Sequence, residues 1–442
     1  MNTKPIRMKW RQPVSIFLRT AGCLLMLYIT QAQSSINIPP LTLTSAVELA
    51  VGNNPSLAEV QARYEAMAEI PSQVSALPDP MLQLNLMNMP TDSFDFDQEP
   101  MTQIQFGVTQ AIPFPGKLSL RHDAAQAAAM AAAYSVDELR LDLINRVRES
   151  WWRLYYLDRA LETTASNQAL LRQFIEVATT KYETGQGLQQ DVLLAQLELS
   201  KLMDQHIQLR SLRLRQSIKL NILMNTQPNQ PIRLPSQVST QLPDIKEEAF
   251  YYEHAESSRP LLKQAEHQLA SAQSQLDLAK RDHYPDFSLG LTYGDRQGSN
   301  ALPMGGSRSD FLSLMIGVKI PLYAGAKQSK AVKQRSSEFH QNRYALLDDR
   351  LKVMAEISNA ITDYQRSREQ FNLFEKGIVP QAQQTVESML AGYQVNQVDF
   401  LNLVRSQITL FNYELQYWKT LSEAKQALSS LEAAVGEDTI YE

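Results

Sequence analysis

The segment Gln103-Ile104-Gln105-Phe106-Gly107-Val108-Thr109-Gln110-Ala111-Ile112-Pro113-Phe114-Pro115-Gly116-Lys117 changes periodicity in the middle. Up to Ile112 it alternates, Ile104, Phe106 and Val108 opposing Gln103, Gln105, Gly107 and Thr109, as a strand with two unlike faces does. Two prolines then restrict the backbone, and past them no proline occurs until Pro228. Residues 117–183 are rich in Ala, Leu, Arg, Gln and Glu, so a single helix of about 65 residues, roughly 100 Å long, is expected. Val136, Leu143, Val147, Leu154, Leu157, Leu161, Leu171, Ile175 and Tyr182 fall on one heptad seam. A globular core cannot cover that length, so the helix must lie along other helices.

The same order of features occurs twice, at an offset of about 205 to 211 residues. Asn54-Pro55-Ser56-Leu57 matches Arg259-Pro260-Leu261-Leu262, Ala111-Ile112-Pro113-Phe114 matches Lys319-Ile320-Pro321-Leu322, and Tyr182 answers Tyr393. The first repeat is read over 33–225, with strands at about 81–88 and 102–112, and the second over 245–436, with strands at about 286–294 and 311–322. A connector with Pro228, Pro231, Pro235 and Pro243 occupies 226–244, and 437–442 form a tail. Pro380 is expected to break its helix into pieces at 326–378 and 381–393. The last helix repeats the heptad seam at Phe400, Leu403, Leu410, Tyr417, Leu421, Ala424, Leu428, Leu431 and Val435.

Each strand is about ten residues with one apolar face, the length of a tilted transmembrane strand. A soluble sandwich alternates in the same way. Four strands cannot close a barrel, however, and open edges are not tolerated in lipid. Three chains of four strands give a closed barrel of twelve with polar faces inward. The loops at about 88–100 and 295–310 are polar and punctuated by Gly and Pro, as external loops are. The fold class is therefore mixed α and β, dominated by long coiled-coil-like helices, in two tandem repeats with two transmembrane strands each.

Lys4, Arg7, Lys9, Arg11 and Arg19 precede an apolar run at 21–29 and the small-x-small pattern Thr30-Gln31-Ala32, which reads as a secretory signal peptide over 1–32. The apolar run is too short to span a bilayer. Removing it takes five basic and no acidic residues, so the formal charge falls from −5 to −10, which argues against a nucleic-acid partner. The sole cysteine, Cys23, lies in this leader. Thr20-Ala21-Gly22-Cys23 resembles a lipoprotein cleavage box with Thr at its aliphatic position, which leaves acylation of Cys23 as a second reading.

No catalytic or cofactor motif is visible. The six histidines, His122, His206, His254, His267, His283 and His340, lack metal-ligand spacing. Met81, Met87, Met89 and Met101 suit Cu(I) chemically but read as apolar filler. Asp92, Asp95, Asp97 and Glu99 lack the glycine and terminal glutamate of a calcium loop. Trp151 and Trp152 read as packing, and Tyr284, Tyr293 and Tyr323 as an interfacial girdle. Two rival classes are a periplasmic adaptor, which has one helical hairpin and no apolar-faced strands, and a structural coiled-coil surface fibre, which has no use for strands.

Leu43-Thr44-Ser45-Ala46-Val47-Glu48-Leu49-Ala50 with Asn54-Pro55, the strand exit Ile112-Pro113-Phe114-Pro115-Gly116-Lys117, and two hairpin tips carry a family resemblance. The tips read Tyr182-Glu183-Thr184-Gly185 through Gln190-Asp191-Val192-Leu193 and Tyr393-Gln394-Val395-Asn396 through Val398-Asp399-Phe400-Leu401. From about Leu41 to Gly436 the chain resembles the outer-membrane efflux proteins, the TolC-like channels, and most of all the branch serving heavy-metal pumps of the RND type. The resemblance implies a homotrimer in the outer membrane of a Gram-negative bacterium, with a twelve-stranded barrel set in lipid and a long periplasmic α-barrel. Its implied partners are a periplasmic adaptor (membrane fusion) protein and an inner-membrane efflux pump. It also implies a gate where acidic side chains converge, at Asp399, with Tyr393 linking neighbouring helices and Asn402 where a second acid is common in the family. Gly185, Gln186, Gly187, Asp191, Asn396 and Gln397 fall at the implied adaptor-docking tips. For Asp399 the residues equally allow a simple helix cap, the reading preferred for Asp191; Gly185 and Gly187 most simply permit a turn.

Overall fold

The computed structural model describes residues 39–437 except 301. The leader read over 1–32, with Cys23, and the last five residues of the tail lie outside the described residues. Three short helices, α1 (Leu43–Asn53), α2 (Pro55–Ala68) and α3 (Ile70–Ser75), lead into strands β1 (Met81–Met87) and β2 (Gln103–Ile112). Two long helices follow, α4 (Lys117–Glu183) and α5 (Gln189–Leu223). The second repeat opens with α6 (Glu248–Ser258) and α7 (Pro260–Arg281), forms β3 (Asp286–Asp295) and β4 (Phe311–Lys319), and continues through α8 (Gln328–Leu373), a π-helical turn (Phe374–Ile378), α9 (Val379–Gln394) and α10 (Phe400–Val435).

Local chemistry sets these boundaries. Thr42 caps α1 by accepting from the Ser45 amide, and Asn54 caps α2 by accepting from Ser56 and Leu57, with Pro55 in the first turn where no amide is needed. Where β2 turns into α4, Lys117 is buried, and its ammonium bonds Asp286 (2.9 Å), Asp282 (3.2 Å) and the Tyr284 carbonyl (3.2 Å). The strand exit of one repeat is thus tied to the strand entry of the other.

The strands form one antiparallel sheet in the order β1-β2-β3-β4. Its register gathers the apolar positions into rows such as Leu84, Phe106, Tyr293 and Leu312, then Leu82, Val108, Leu291 and Leu314. The opposite face carries Gln83, Gly107, Thr292 and Ser313 in register. The apolar side chains are in the open: Leu82 is 81% exposed and Ile316 71%. Among the described residues neither β1 nor β4 has a second neighbour. β4 stops at Lys319 instead of reaching 322, because its partner strand begins at Asp286 opposite Lys319 and Pro321 has no amide to donate.

The helices carry the core. α4 is 67 residues long, and α8, the π turn and α9, of 46, 5 and 16 residues, span the same length at an offset of 211. Pro380 therefore does not separate two pieces as its sequence suggests. It sits in the first turn of α9 directly after the π turn, and the wider turn absorbs the missing hydrogen bond while Ile378 and Val379 keep helical dihedrals. On the α4 seam Leu143, Val147, Leu154, Leu157 and Leu171 are buried, but Tyr182 is 47% exposed, since α4 ends one residue later and leaves it beyond the packed region. Trp151 stacks on Tyr155 (5.7 Å), donates to the Leu41 carbonyl (3.0 Å) and joins α1, α4, α5 and Ile232 of the connector in one cluster.

Arg259, 7% exposed, binds the repeats together. Its guanidinium pairs with Glu138 of α4 (2.8 Å) and Glu356 of α8 (3.4 Å) and donates to the Ala433 carbonyl of α10. Gly436 ends α10 at φ +96°, where a Cβ would stand 2.7 Å from the Cα of Arg259, so only glycine lets the two segments approach. Burial is the largest influence on Glu138 and raises its carboxyl above the ordinary range in spite of Arg259.

Candidate functional site

The two interhelical turns repeat one motif. In the first, Gly185 is left-handed (φ +74°), its amide donates to Tyr182 (3.0 Å), and Gln186 donates to Lys181 (2.8 Å). In the second, Asn396 takes the left-handed place (φ +59°), donating to Tyr393 (3.2 Å), while Gln397 donates to Gly392 (2.8 Å). Both are Schellman turns, which satisfy the last carbonyls of a helix; asparagine is the residue that best replaces glycine there. Gly187 is constrained differently: a Cβ would meet the Lys181 Cβ at 3.0 Å and the Tyr182 nitrogen at 3.1 Å.

The tips share a core. Leu171, Phe174 and Ala178 of α4, Ala195 of α5, Tyr393 of α9, and Phe400, Leu403 and Val404 of α10 form one buried cluster. Tyr393 is 6% exposed, with its ring 5.2 Å from that of Phe400, so it departs from its exposed counterpart Tyr182. Its hydroxyl is buried without a hydrogen-bond partner among the described residues. Lys181 crosses from the first tip to the second and donates to the Tyr393 carbonyl and to Asn396 Oδ1, both at 2.6 Å.

Asp399 is exposed at the N-cap position of α10, with extended backbone (φ −70°, ψ 144°). Its carboxylate makes no capping bond; the Asn402 and Leu403 amides go to its backbone carbonyl (3.1 and 3.3 Å). Asp399 holds the N-cap position without using its carboxylate as the cap. Asp191 is the third residue of α5, where the nearby Leu188 amide favours its charged form. Burial first, and then the Asp399 carboxylate, raise the Asp191 carboxyl above its usual range against that influence. Burial and then Asp191 raise the Tyr393 phenol. Asp191, Tyr393 and Asp399, from three segments, thus share one electrostatic neighbourhood. Asn402 stands apart from it, exposed on α10 beside Arg405, Met389 and Thr385 in a groove of about 480 Å³.

A second polar cluster lies about two to four turns from the tip. Gln407 donates to Asn167 (2.7 Å), and the Glu414 carboxyl lies among the polar side chains of Asn167 and Gln383. Burial pushes the Glu414 carboxyl upward in spite of those polar neighbours. Sequence reading missed this layer and Lys181 alike, since their partners are distant in the chain.

A sheet with one outward apolar face, continued by paired long helices and duplicated through the chain, coincides with the extent of a family profile: that of the outer membrane efflux protein matches residues 46–226 and 251–437. The chain belongs to the outer membrane efflux protein family. The two matched segments follow the two structural repeats. Among curated relatives of this family member, protein CyaE of Bordetella pertussis is 25% identical over 333 residues, 74% of this chain and 70% of that protein. The cobalt-zinc-cadmium resistance protein CzcC of Cupriavidus metallidurans is 19% identical over 401 residues, 90% of each. In fold it is similar to the outer-membrane channel OprN (TM-score 0.74, 16% identity, 89% of each chain) and to VceC of Vibrio cholerae (0.74, 18%, covering 89% of this chain and 96% of that one). CusC, described in terms of transmembrane channel formation, aligns at a TM-score of 0.72 with 15% identity, over 90% of this chain and 93% of that one. The outer-membrane efflux fold, mostly helical with a small sheet in two tandem repeats, is that of a TolC-like channel.

Proposed function

We propose that three copies of this chain form the outer-membrane duct of a tripartite efflux system in a Gram-negative bacterium. The carrying observation is the sheet: its apolar face is in the open and its two edge strands are unpaired among the described residues, a state stable only when copies close it into a barrel set in lipid. Exposed apolar stripes on the helices support the same assembly. Leu193, Leu197, Ile207 and Leu214 run along α5, and Tyr344, Leu347, Leu351 and Met354 along α8, at spacings suited to a neighbouring helix. No helix among the described residues is long and apolar enough to cross a membrane, so the strands are the spanning elements in this reading.

The long helices then form a periplasmic tunnel ending at the tips. Asp399 and Tyr393 act there as the gate, with Asn402 behind them, and Gly185, Gln186, Gly187, Asp191, Asn396 and Gln397 present the surface on which a periplasmic adaptor docks. The energy source is an inner-membrane pump of the RND type, and the chain itself is a conduit, not an enzyme. The name of CzcC makes divalent metal cations the substrate class to test first. Three converging Asp399 carboxylates favour cations. Single-channel recording of the detergent-extracted protein in a planar bilayer tests the reading: cation-selective pores are expected, and protein that remains soluble without detergent and conducts nothing refutes it.

A further inference from the structure

We infer that Lys181 is a positioning residue that fixes the second tip, and with it Asp399, against the first; the inference rests on the reading of the tips as a gate. The ammonium bonds the other hairpin twice, at the Tyr393 carbonyl and at Asn396 Oδ1, both 2.6 Å, and stands 4.2 Å from the centre of the Tyr393 ring. The carbonyl belongs to the last turn of α9, the negative end of that helix, where a cation is favoured. The amide side chain lies on the left-handed turn residue, three positions before Asp399. A cation that holds both ends of this turn sets where the carboxylate after it stands.

The contact runs one way. At the repeat offset of 211 the counterpart of Lys181 is Gly392, which has no side chain with which to reciprocate, and Val398 Cγ2 occupies the space a Cβ would need, at 2.6 Å. The two arms differ as well. α4, which carries Lys181, is an unbroken helix, whereas the arm it holds contains the π turn and Pro380. The π turn and Pro380 give that arm a place to bend, and Lys181 restrains it beyond that place.

The test uses the full-length protein in planar bilayers, read by resting conductance and by reversal potential across a potassium chloride gradient. Hydrogen bonds to a charged donor bias an equilibrium by a factor of roughly 10 to 100. Lys181→Met, which keeps the apolar stem, is expected to raise occupancy of the conducting state by that factor and to shift the reversal potential as Asp399 is displaced. Lys181→Arg, which retains charge and donors, is expected to restore part of the effect. Asn396→Gly keeps the left-handed turn and deletes one acceptor, so it should act in the same direction but less, and add nothing to Lys181→Met. Pores of Lys181→Met with wild-type conductance and reversal potential overturn the inference while leaving the channel reading intact. If Lys181→Met does not assemble, Asn396→Gly decides, and wild-type behaviour there overturns it. A wild-type protein that forms no pores refutes the gate reading itself.

Discussion

Leu314 and Ser313 are neighbours on β4 that point to opposite faces of the sheet, and arginine at each position separates a membrane barrel from a soluble sheet. Leu314 lies in register with Leu291, Val108 and Leu82, the central row of the apolar face, while Ser313 is aligned with Thr292, Gly107 and Gln83. Both side chains are exposed in the single chain, so in a soluble protein either replacement falls within about 0.5 kcal/mol of neutral. In a barrel, Leu314→Arg puts a charge against lipid near mid-depth, costing about 2–4 kcal/mol per chain, whereas Ser313→Arg enters the aqueous interior. The lower figure already corresponds to roughly a 30-fold loss in the insertion equilibrium, repeated in every copy. The assay compares how much of each variant is recovered from membranes as a heat-resistant oligomer, and its dissociation temperature. Near-normal assembly of Ser313→Arg with collapse of Leu314→Arg is expected; indistinguishable variants refute the assignment of the apolar face to lipid.

Other predictions concern the helical body and the tips. Arg259→Met strips the partner from Glu138 and leaves a half-buried carboxylate, so it should destabilise the chain by about 3–5 kcal/mol, with partial recovery in the Glu138→Gln background, measured by denaturant unfolding in detergent. Glu414 has its carboxyl raised on folding, so the folded state binds the proton more tightly and stability falls as pH rises through the ordinary carboxyl range and beyond. Glu414→Gln should therefore raise the thermal midpoint at pH 7 and lose that advantage below about pH 4; an equal effect at both pH values contradicts the account. Asp399→Asn keeps the size of the side chain and makes no difference to a cap that the carboxylate does not form, so cation preference and block by polyvalent cations should weaken with stability unchanged. A reversal potential that does not move removes Asp399 from the gate.

Much of the architecture was legible because it rests on local periodicity. The absence of proline between Pro115 and Pro228 and the alternation from Gln103 to Ile112 are statements about neighbouring residues, and the fold obeys them. Duplication added a check, since α4 and its counterpart begin and end at one offset. What failed depended on context. Pro380 reads as a break when only its missing amide is considered, but a π turn ending two residues upstream accommodates it. Asp399 has the sequence of a cap, yet its carboxylate is not used as one. Tyr182 and Tyr393 are equivalent in the repeat but only Tyr393 has Phe400 and Lys181 to cover it. Lys181 itself carries no signal, because its acceptors lie 212 and 215 positions away. Arg259 is similar: beside Pro260 it looks like an ordinary helix-start residue, and its role appears only once α4, α8 and α10 meet around it.

The central claim is that one chain supplies a third of a closed membrane barrel, and the mass of the detergent-extracted particle tests it most directly. Native mass spectrometry should find three chains per particle, with no stable monomer once detergent is removed. A particle of one chain, or a monodisperse monomer in plain buffer, would contradict the account, because four strands with two free edges cannot cross a membrane alone.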